Sequence, residues 1–284
     1  MSADTSAGAS EDQRASLTSR VLPMMTLSEG SNPLTRPLAP VPSTSAQERA
    51  KARFQVQGKA IVTGGAGALG LISAQALLEH GLSSLCIMDL PRTLETSSEE
   101  IQSLASNFPS ANITKVPLDV TSMESIEAAF EQANKTMEGI DILCCFAGIP
   151  GCQPSLTVTP DQFNKVIDVN LNGSFFCAQA AAKRMESSGK GGCILFTASM
   201  SAHYTNFPQP QAAYNASKAG VAHLTRNLAA DLADVRKIWD SRCPMGRMGD
   251  PEEITGAVIL LCSQRAGRYI TGADIVIDGG TLTL

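Results

Sequence analysis

From residue 59 onward, short apolar runs alternate with longer stretches in which apolar residues recur every three or four positions. The runs KAIVT (59–63), SLCIMD (84–89), ITKVPLDV (113–120), DILCCFAG (141–148), CILFTAS (193–199) and ADIVID (273–278) predict strands. Between them the periodicity predicts helices over 69–80, 94–107, 122–137, 160–186 and 211–234. A further helix is predicted from Pro251, a residue suited to a first turn, to about Cys262. Strands of nearly continuous apolar character separated by amphipathic helices imply a parallel sheet covered on both faces, the doubly wound α/β class. No internal repeat is present.

Residues 1–53 break this pattern. They are rich in Ser, Ala, Pro and Thr, hold no aromatic residue, and read as a disordered extension. The domain is accordingly placed at 54–284. Within the extension, Val21-Leu22-Pro23-Met24-Met25 is too short, and carries a proline, to be the core of a signal peptide. Asp4, Glu11 and Asp12 argue against a transit peptide.

Composition narrows the function classes. The net charge is −5, and no Lys/Arg cluster offers a face for nucleic acid. No apolar run approaches the length of a bilayer span. The eight cysteines are scattered, several inside apolar runs, with no CxxC pair. They read as small buried hydrophobes of a reducing compartment, which predicts a cytoplasmic protein. His80, His203 and His223 have no metal-ligand spacing, so no metal site is expected.

The segment TGGAGALG, residues 63–70, carries the first chemistry. It stands between a predicted strand and a predicted helix, where glycines permit a tight turn and the helix N-terminus offers N–H groups to a pyrophosphate. Gly65-x-Gly67-x-x-Gly70 fits the dinucleotide fingerprint. Asp89 ends the second strand, where a carboxylate binds the ribose 2′- and 3′-hydroxyls and repels a 2′-phosphate. The expected cofactor is NAD rather than NADP, although Arg92 lies close enough to offset part of that repulsion.

The second chemistry lies in TASMSAHYTNFPQPQAAYNASKAG, residues 197–220. Tyr214 and Lys218 are four apart near the start of a predicted helix and so share a face. A phenol has a pKa near 10, and a nearby ammonium favours the phenolate and lowers that value. Ser199 follows a strand directly and can hydrogen-bond a substrate carbonyl; Ser201 is the alternative serine. Together such groups polarise a carbonyl and supply its proton while a hydride arrives from nicotinamide. His203 either contacts a substrate hydroxyl or fills the loop.

With these motifs in this order, the chain from about Gly58 to its end resembles the classical short-chain dehydrogenase/reductase family. Thr63-Gly64-x-x-x-Ala68-x-Gly70 is similar to that family's glycine motif, with alanine at a position usually glycine. The resemblance assigns Gly64, Gly65, Gly67, Ala68, Leu69, Gly70, Asp89, Asp119, Val120, Ala147, Gly148, Tyr214 and Lys218 to the cofactor, with Leu118-Asp119-Val120 near the adenine. It assigns Asn170, Ser199, Tyr214 and Lys218 to catalysis, Asn170 as holder of a relay water and Lys218 also as holder of the nicotinamide ribose. The finer pattern TASMS-x-H…N-x-PQ-x-Q-x-x-YN-x-SKAG resembles fungal polyol dehydrogenases and ketose reductases of the mannitol, arabinitol, xylulose and sorbose types. That similarity implies an NAD(H)-dependent oxidoreductase acting on a polyol or ketose, assembled as a homotetramer or homodimer through the helices at 160–186 and 211–234.

Two departures qualify the expectation. Where the family has Asn-Asn-Ala-Gly, this chain has Cys145-Phe146-Ala147-Gly148, which keeps only the small pair. After Asp234 the chain passes almost directly to PMGRMGDPEEI, with no sixth strand and no Pro-Gly turn before the lid end. The sheet is therefore expected to lack its sixth strand, and the nicotinamide site to be weakened. Two alternative functions follow. One is a nucleotide-binding pseudoenzyme or regulatory subunit; the other is a reductase of specialised metabolism acting on a larger ketone.

Overall fold

The computed structural model describes residues 45–189, 192–203, 205, 208–231 and 245. Five parallel strands, β1 (Lys59–Thr63), β2 (Ser84–Asp89), β3 (Asn112–Pro117), β4 (Ile142–Cys145) and β5 (Cys193–Phe196), form one sheet in the order β3-β2-β1-β4-β5. The order reverses direction at β1, between β2 and β4, which is the switch point where such sheets open a crevice at their carboxyl ends.

The central strands are apolar on both faces because both are covered. Ala60, Ile61 and Val62 of β1, and Leu85, Cys86, Ile87 and Met88 of β2, have no solvent exposure. One face packs on α2 (Ala68–Glu79), α3 (Pro91–Thr96) and α4 (Ser98–Asn107) through Ala74, Leu78, Leu94, Ile101 and Leu104. The other packs on α5 (Met123–Met137) and α7 (Gly173–Ser188) through Ile126, Phe130, Ala133, Cys177, Ala181 and Met185. Burying a Leu, Ile or Phe side chain contributes about 1.5–3 kcal/mol, so the two layers fix the sheet from both sides. The described architecture is a single-domain Rossmann-like α/β fold, as the hydrophobic pattern predicts.

Local chemistry moved several boundaries. The helix predicted over 94–107 breaks at Ser97 into α3 and α4. The Ser97 hydroxyl donates to the Ala66 carbonyl (3.0 Å), which ties the break to the glycine loop. The long helix predicted over 160–186 is α6 (Pro160–Ile167), a π turn at Asp168–Asn172, and then α7. α6 starts on a capping box of Thr159 and Gln162, and α7 ends on Gly189 with φ +67°.

On the tail side of residue 54 lies an exposed helix, α1 (Ala46–Arg53). Ser45 and Glu48 form its capping box, and AQERAKAR is rich in strong helix formers. The predicted helix 211–234 is α8 (Ala212–Asp231) as described. The expectations of a missing sixth strand, a helix at Pro251–Cys262 and a strand at 273–278 lie outside the described residues. No described helix is long and apolar enough to cross a membrane, and no group of metal-ligating side chains occurs among the described residues.

Candidate active site

The glycine loop between β1 and α2 is built by close backbone approach. Gly64 has φ +66°, and a Cβ there would lie 2.5 Å from the Ala147 backbone nitrogen. A Cβ on Gly65 would lie 2.6 Å from the Val62 carbonyl, and one on Gly70 would run into the Gly64 carbonyl oxygen. Gly67 differs: its φ is −78°, and a Cβ would meet the Gly64 oxygen at an ordinary 3.4 Å. It is the N-cap of α2, where no side chain caps the helix and no acidic residue stands in the first turn. The first N–H groups of α2 are therefore left without a side-chain cap from the helix itself.

Asp89 closes the far side of the loop. Its Oδ2 accepts from the Ala66 N–H (3.2 Å) and its Oδ1 from the Leu90 N–H (2.8 Å). The half-buried carboxylate is thus held against the glycine loop, 23 residues away in sequence. Arg92 is exposed in the first turn of α3. Asp119 spends its Oδ1 on the Thr121 N–H (2.9 Å) and hydroxyl (2.7 Å), a turn that leads into α5. Val120 packs against Gly173, where a Cβ would fall 2.8 Å from its side chain.

The segment after β4 joins the two halves of the site. Ala147 backs onto Gly64, and a Cβ on the next residue, Gly148, would lie 3.3 Å from Asn170 Oδ1 and 3.8 Å from Lys218 Nζ. Ala147 thus adjoins the glycine loop and Gly148 the Asn170 amide, with Lys218 at ordinary contact distance. Leu69, 63% exposed on α2, stands beside this loop without a described packing partner.

Asn170 is fully buried inside the π turn. Its Oδ1 accepts from the Ile149 N–H (2.8 Å), and its Nδ2 donates to the Ile149 carbonyl (3.0 Å) and to Ser217 Oγ (3.0 Å). Ser217 in turn donates to the Tyr214 carbonyl (2.8 Å), so Asn170 is latched to the helix that carries Tyr214. The family resemblance of VIDVNLNGSFF was the signal for Asn170, since Asp168, Asn172 and Ser174 are also polar in that stretch. Nothing in the sequence singled out Ser217, or Ile149 as its backbone partner.

Lys218 is 6% exposed, and its Nζ donates to the Thr197 carbonyl at 2.6 Å. It lies 5.8 Å from the centroid of the Tyr214 ring. Burial pulls its pKa below the ordinary lysine value, with the Cys145 thiol acting in the other direction. Tyr214 is half-buried, one helical turn before Lys218. Ser199, in extended conformation, caps a short 3₁₀ turn (Met200–Ala202). Its Oγ bonds Ser201 Oγ (3.1 Å) and accepts from the Ser201 N–H (3.2 Å). Ser201 is buried beneath it at 4% exposure, while Ser199 is half-buried and His203 is exposed.

The site thus combines an uncapped helix N-terminus, a carboxylate at the end of the second strand, and a tyrosine beside a buried lysine. Residues 58–238 match the sequence pattern of the family described as short chain dehydrogenase. The chain belongs to that family. Residues 233–282 match a second pattern, described as enoyl-(acyl carrier protein) reductase. Curated relatives of this short-chain dehydrogenase include a probable NADP-dependent mannitol dehydrogenase of Yarrowia lipolytica, 33% identical over 85% of this chain and 94% of that protein. A sorbose reductase of Schizosaccharomyces pombe is 33% identical over 80% of this chain and 97% of that protein. A ribulose-forming D-arabinitol 2-dehydrogenase of Scheffersomyces stipitis is 31% identical over 80% and 95%.

Among solved structures, a short-chain type dehydrogenase/reductase from Mycobacterium marinum superimposes with a TM-score of 0.60 at 34% identity. The match covers 81% of this chain and 97% of that one. The NADPH-dependent 3-quinuclidinone reductase of Rhodotorula rubra superimposes with a TM-score of 0.59 at 29% identity, covering 86% and 99%. The match to the Yarrowia relative runs over 267 aligned positions, whereas 85% of this 284-residue chain is about 241 residues. The difference, about 26 positions, has no residue in this chain.

Proposed function

We propose that this short-chain dehydrogenase transfers a hydride between NAD(H) and a polyol–ketose pair. The observation that carries the reading is the convergence at Ala147-Gly148: Gly64 of the glycine loop lies against the Ala147 backbone, while a Cβ on Gly148 would sit 3.3 Å from Asn170 Oδ1 and 3.8 Å from Lys218 Nζ. Such a crevice puts a dinucleotide's pyrophosphate at the start of α2 and its nicotinamide beside Tyr214. The dinucleotide, when bound, supplies or accepts the hydride.

The protein's own residues do the rest. The Gly64–Gly70 loop receives the phosphates, and Asp89, steadied by the Ala66 N–H, receives the adenosine ribose hydroxyls. The Lys218 ammonium lowers the cost of a Tyr214 phenolate. Tyr214 then gives its proton to the carbonyl oxygen in reduction and takes one from the alcohol in oxidation. Ser199 donates to the same oxygen, and the geometry favours it over Ser201 because Ser201 is buried behind it as its partner. Asn170, locked by Ile149 and Ser217, holds the water end of a proton path that reaches Lys218.

Asp89 supports NAD over NADP, because a 2′-phosphate would meet a carboxylate that loop N–H groups hold in place. Relatives from Yarrowia lipolytica, Hypocrea jecorina and Alternaria alternata are nevertheless named as NADP-dependent mannitol dehydrogenases, the first as a probable one, so the test compares both nucleotides. The polyol–ketose class rests on the relatives' names and on the resemblance that the TASMS…YNASK stretch bears to fungal polyol dehydrogenases. A cytoplasmic homotetramer or homodimer, joined through the α6–α7 and α8 helices, completes the proposal.

The test is a panel of ketoses, including fructose, ribulose and sorbose, reduced with NADH and with NADPH. Turnover of at least one with NADH, abolished in Tyr214→Phe, supports the reading. A second reading, a dinucleotide-binding protein without turnover, draws on the aligned positions this chain lacks. NADH binding without reduction of any ketose, or of a larger ketone, would favour it.

A further inference from the structure

Ser199 and Ser201 form a hydroxyl pair just beyond the carboxyl end of β5. Ser199 is extended (φ −164°, ψ 158°) and caps the 3₁₀ turn Met200–Ala202, with the Ala202 N–H on its own carbonyl (2.9 Å). That turn packs against α8, the helix of Tyr214 and Lys218. It folds the chain back so that the Ser201 N–H donates to Ser199 Oγ at 3.2 Å and the two Oγ atoms stand 3.1 Å apart. Ser201 is buried at 4% exposure, whereas Ser199 is half-buried. Two residues before Ser199, the Thr197 carbonyl holds the Lys218 ammonium, so the pair is fixed to the same stretch of chain as the lysine.

The number of protons sets what the pair can do. A serine hydroxyl has one proton to give and two lone pairs to receive. Only one of the two hydroxyls can donate across the 3.1 Å contact. If Ser199 donates to Ser201, its proton is spent and none is left for a substrate carbonyl. If Ser201 donates, Ser199 Oγ accepts from both the N–H and the O–H of residue 201, and its own proton is left for the substrate. Hydroxyl protons rotate about the Cβ–Oγ bond, so exchanging the two arrangements moves no heavy atom. An oxygen that accepts hydrogen bonds is also a better donor, because linked hydrogen bonds polarise one another where the dielectric is low.

We propose that Ser201 is a positioning residue for the reaction. With substrate bound, its hydroxyl donates to Ser199 Oγ, holds that side chain in its rotamer and turns the Ser199 proton toward the carbonyl oxygen. Ser201 touches neither substrate nor cofactor and acts only through Ser199. In reduction the proton that reaches the carbonyl oxygen comes from Tyr214, while the Ser199 and Ser201 protons stay on their own oxygens. The inference rests on the reading of Ser199 as a donor to the reacting oxygen.

A double-mutant cycle on the full-length protein tests it. The readouts are kcat for the best carbonyl substrate with the better nucleotide, the affinity for that nucleotide, and thermal unfolding. Ser199→Ala is expected to cut kcat about 10²-fold. Ser201→Ala is expected to cut it about tenfold with nucleotide affinity unchanged. On the Ser199→Ala background the same change is expected to cost less than about twofold, because its effect passes through the missing hydroxyl. Ser201→Thr, which keeps the hydroxyl, is expected to recover most of kcat. If Ser201→Ala is unstable, Ser201→Cys, close in volume and a weak donor, takes its place in the cycle. Equal losses on both backgrounds would make Ser201 purely structural and overturn the inference. An unchanged kcat in Ser201→Ala would overturn it too, as would a larger loss than in Ser199→Ala, which would exchange the two roles. Each of these outcomes leaves the dehydrogenase reading standing. Absence of turnover by the unaltered protein would overturn that reading, and the inference with it.

Discussion

The Lys218 ammonium donates to the carbonyl oxygen of Thr197 at 2.6 Å, anchoring the helix of Tyr214 to the end of β5. A buried ammonium with one backbone acceptor has two further N–H groups to give, toward a phenolate and a bound ribose. Lys218→Met is expected to cut kcat at least about 100-fold while leaving the fold intact, because an unpaired charge is costly to bury and an apolar chain of similar length is not. Steady-state kinetics alongside urea unfolding checks both halves. A large loss of stability would mean the Thr197 bond is chiefly structural.

Tyr214→Phe keeps the ring and removes the proton. Turnover should fall by about 10²- to 10⁴-fold, and NADH affinity should change little. Comparable losses in both would place Tyr214 in the cofactor cradle and not at the reacting carbonyl.

Asp89→Asn removes the carboxylate charge and keeps an acceptor for the Ala66 N–H. The ratio of NADH to NADPH affinity should shift toward NADPH by about tenfold or more, since a hydrogen bond to a charged group contributes about 1.5–3 kcal/mol. Titration of both nucleotides measures it. An unchanged ratio would free Asp89 from the choice of cofactor.

Two glycines of one loop separate conformation from habit. Gly64→Ala meets both a positive φ of +66° and the Ala147 nitrogen, so it should destabilise by about 1–3 kcal/mol and abolish nucleotide binding. Gly67→Ala has φ −78° and ordinary contact distance, so the fold should hold. Thermal unfolding of the two variants side by side tests the contrast.

Burial raises the thiol pKa of Cys86 and Cys144 to about 11 and of Cys177 to about 12, from 9.0. The unfolded chain therefore loses these protons first as the solution turns alkaline. The stability they contribute is fully present below pH about 9 and is lost as pH rises through the folded-state values. Lys218, with its pKa lowered, contributes the opposite slope, so the thiol effect is read as a difference between proteins. The gap in urea midpoint between the unaltered protein and Cys144→Ala should narrow between pH 8 and pH 10.5 (about half a unit short of 11). A gap that stays constant would mean Cys144 keeps its ordinary acidity in the folded protein.

The sequence made the sheet legible because a parallel sheet buried on both faces needs continuous apolar strands, and Ala60–Val62 and Leu85–Met88 supply them. The glycine loop, Asp89 and the Tyr214–Lys218 pair were legible because each needs a residue type at a fixed spacing. The break at Ser97 and the π turn around Asn170 were not, because tertiary hydrogen bonds to Ala66, Ile149 and Ser217 attend them and local periodicity does not register such bonds. The anchoring of Lys218 by a backbone carbonyl leaves no mark in a sequence at all. The capping box at Ser45 and Glu48 was written in the chain, but the Ser- and Pro-rich stretch before it masked the short helix that follows.

The central claim is that the crevice binds NADH and presents it to Tyr214. Titrating the purified protein with NADH, followed by nicotinamide fluorescence and with NADPH as comparator, tests it most directly. The account predicts clear enhancement with NADH and little with NADPH, because on the proposed reading Asp89 would face the 2′ position and Lys218 would hold the nicotinamide ribose. Absence of enhancement with either nucleotide would contradict it, and would leave Asn170, Ser199, Tyr214 and Lys218 as the inherited residues of a chain that no longer closes its site.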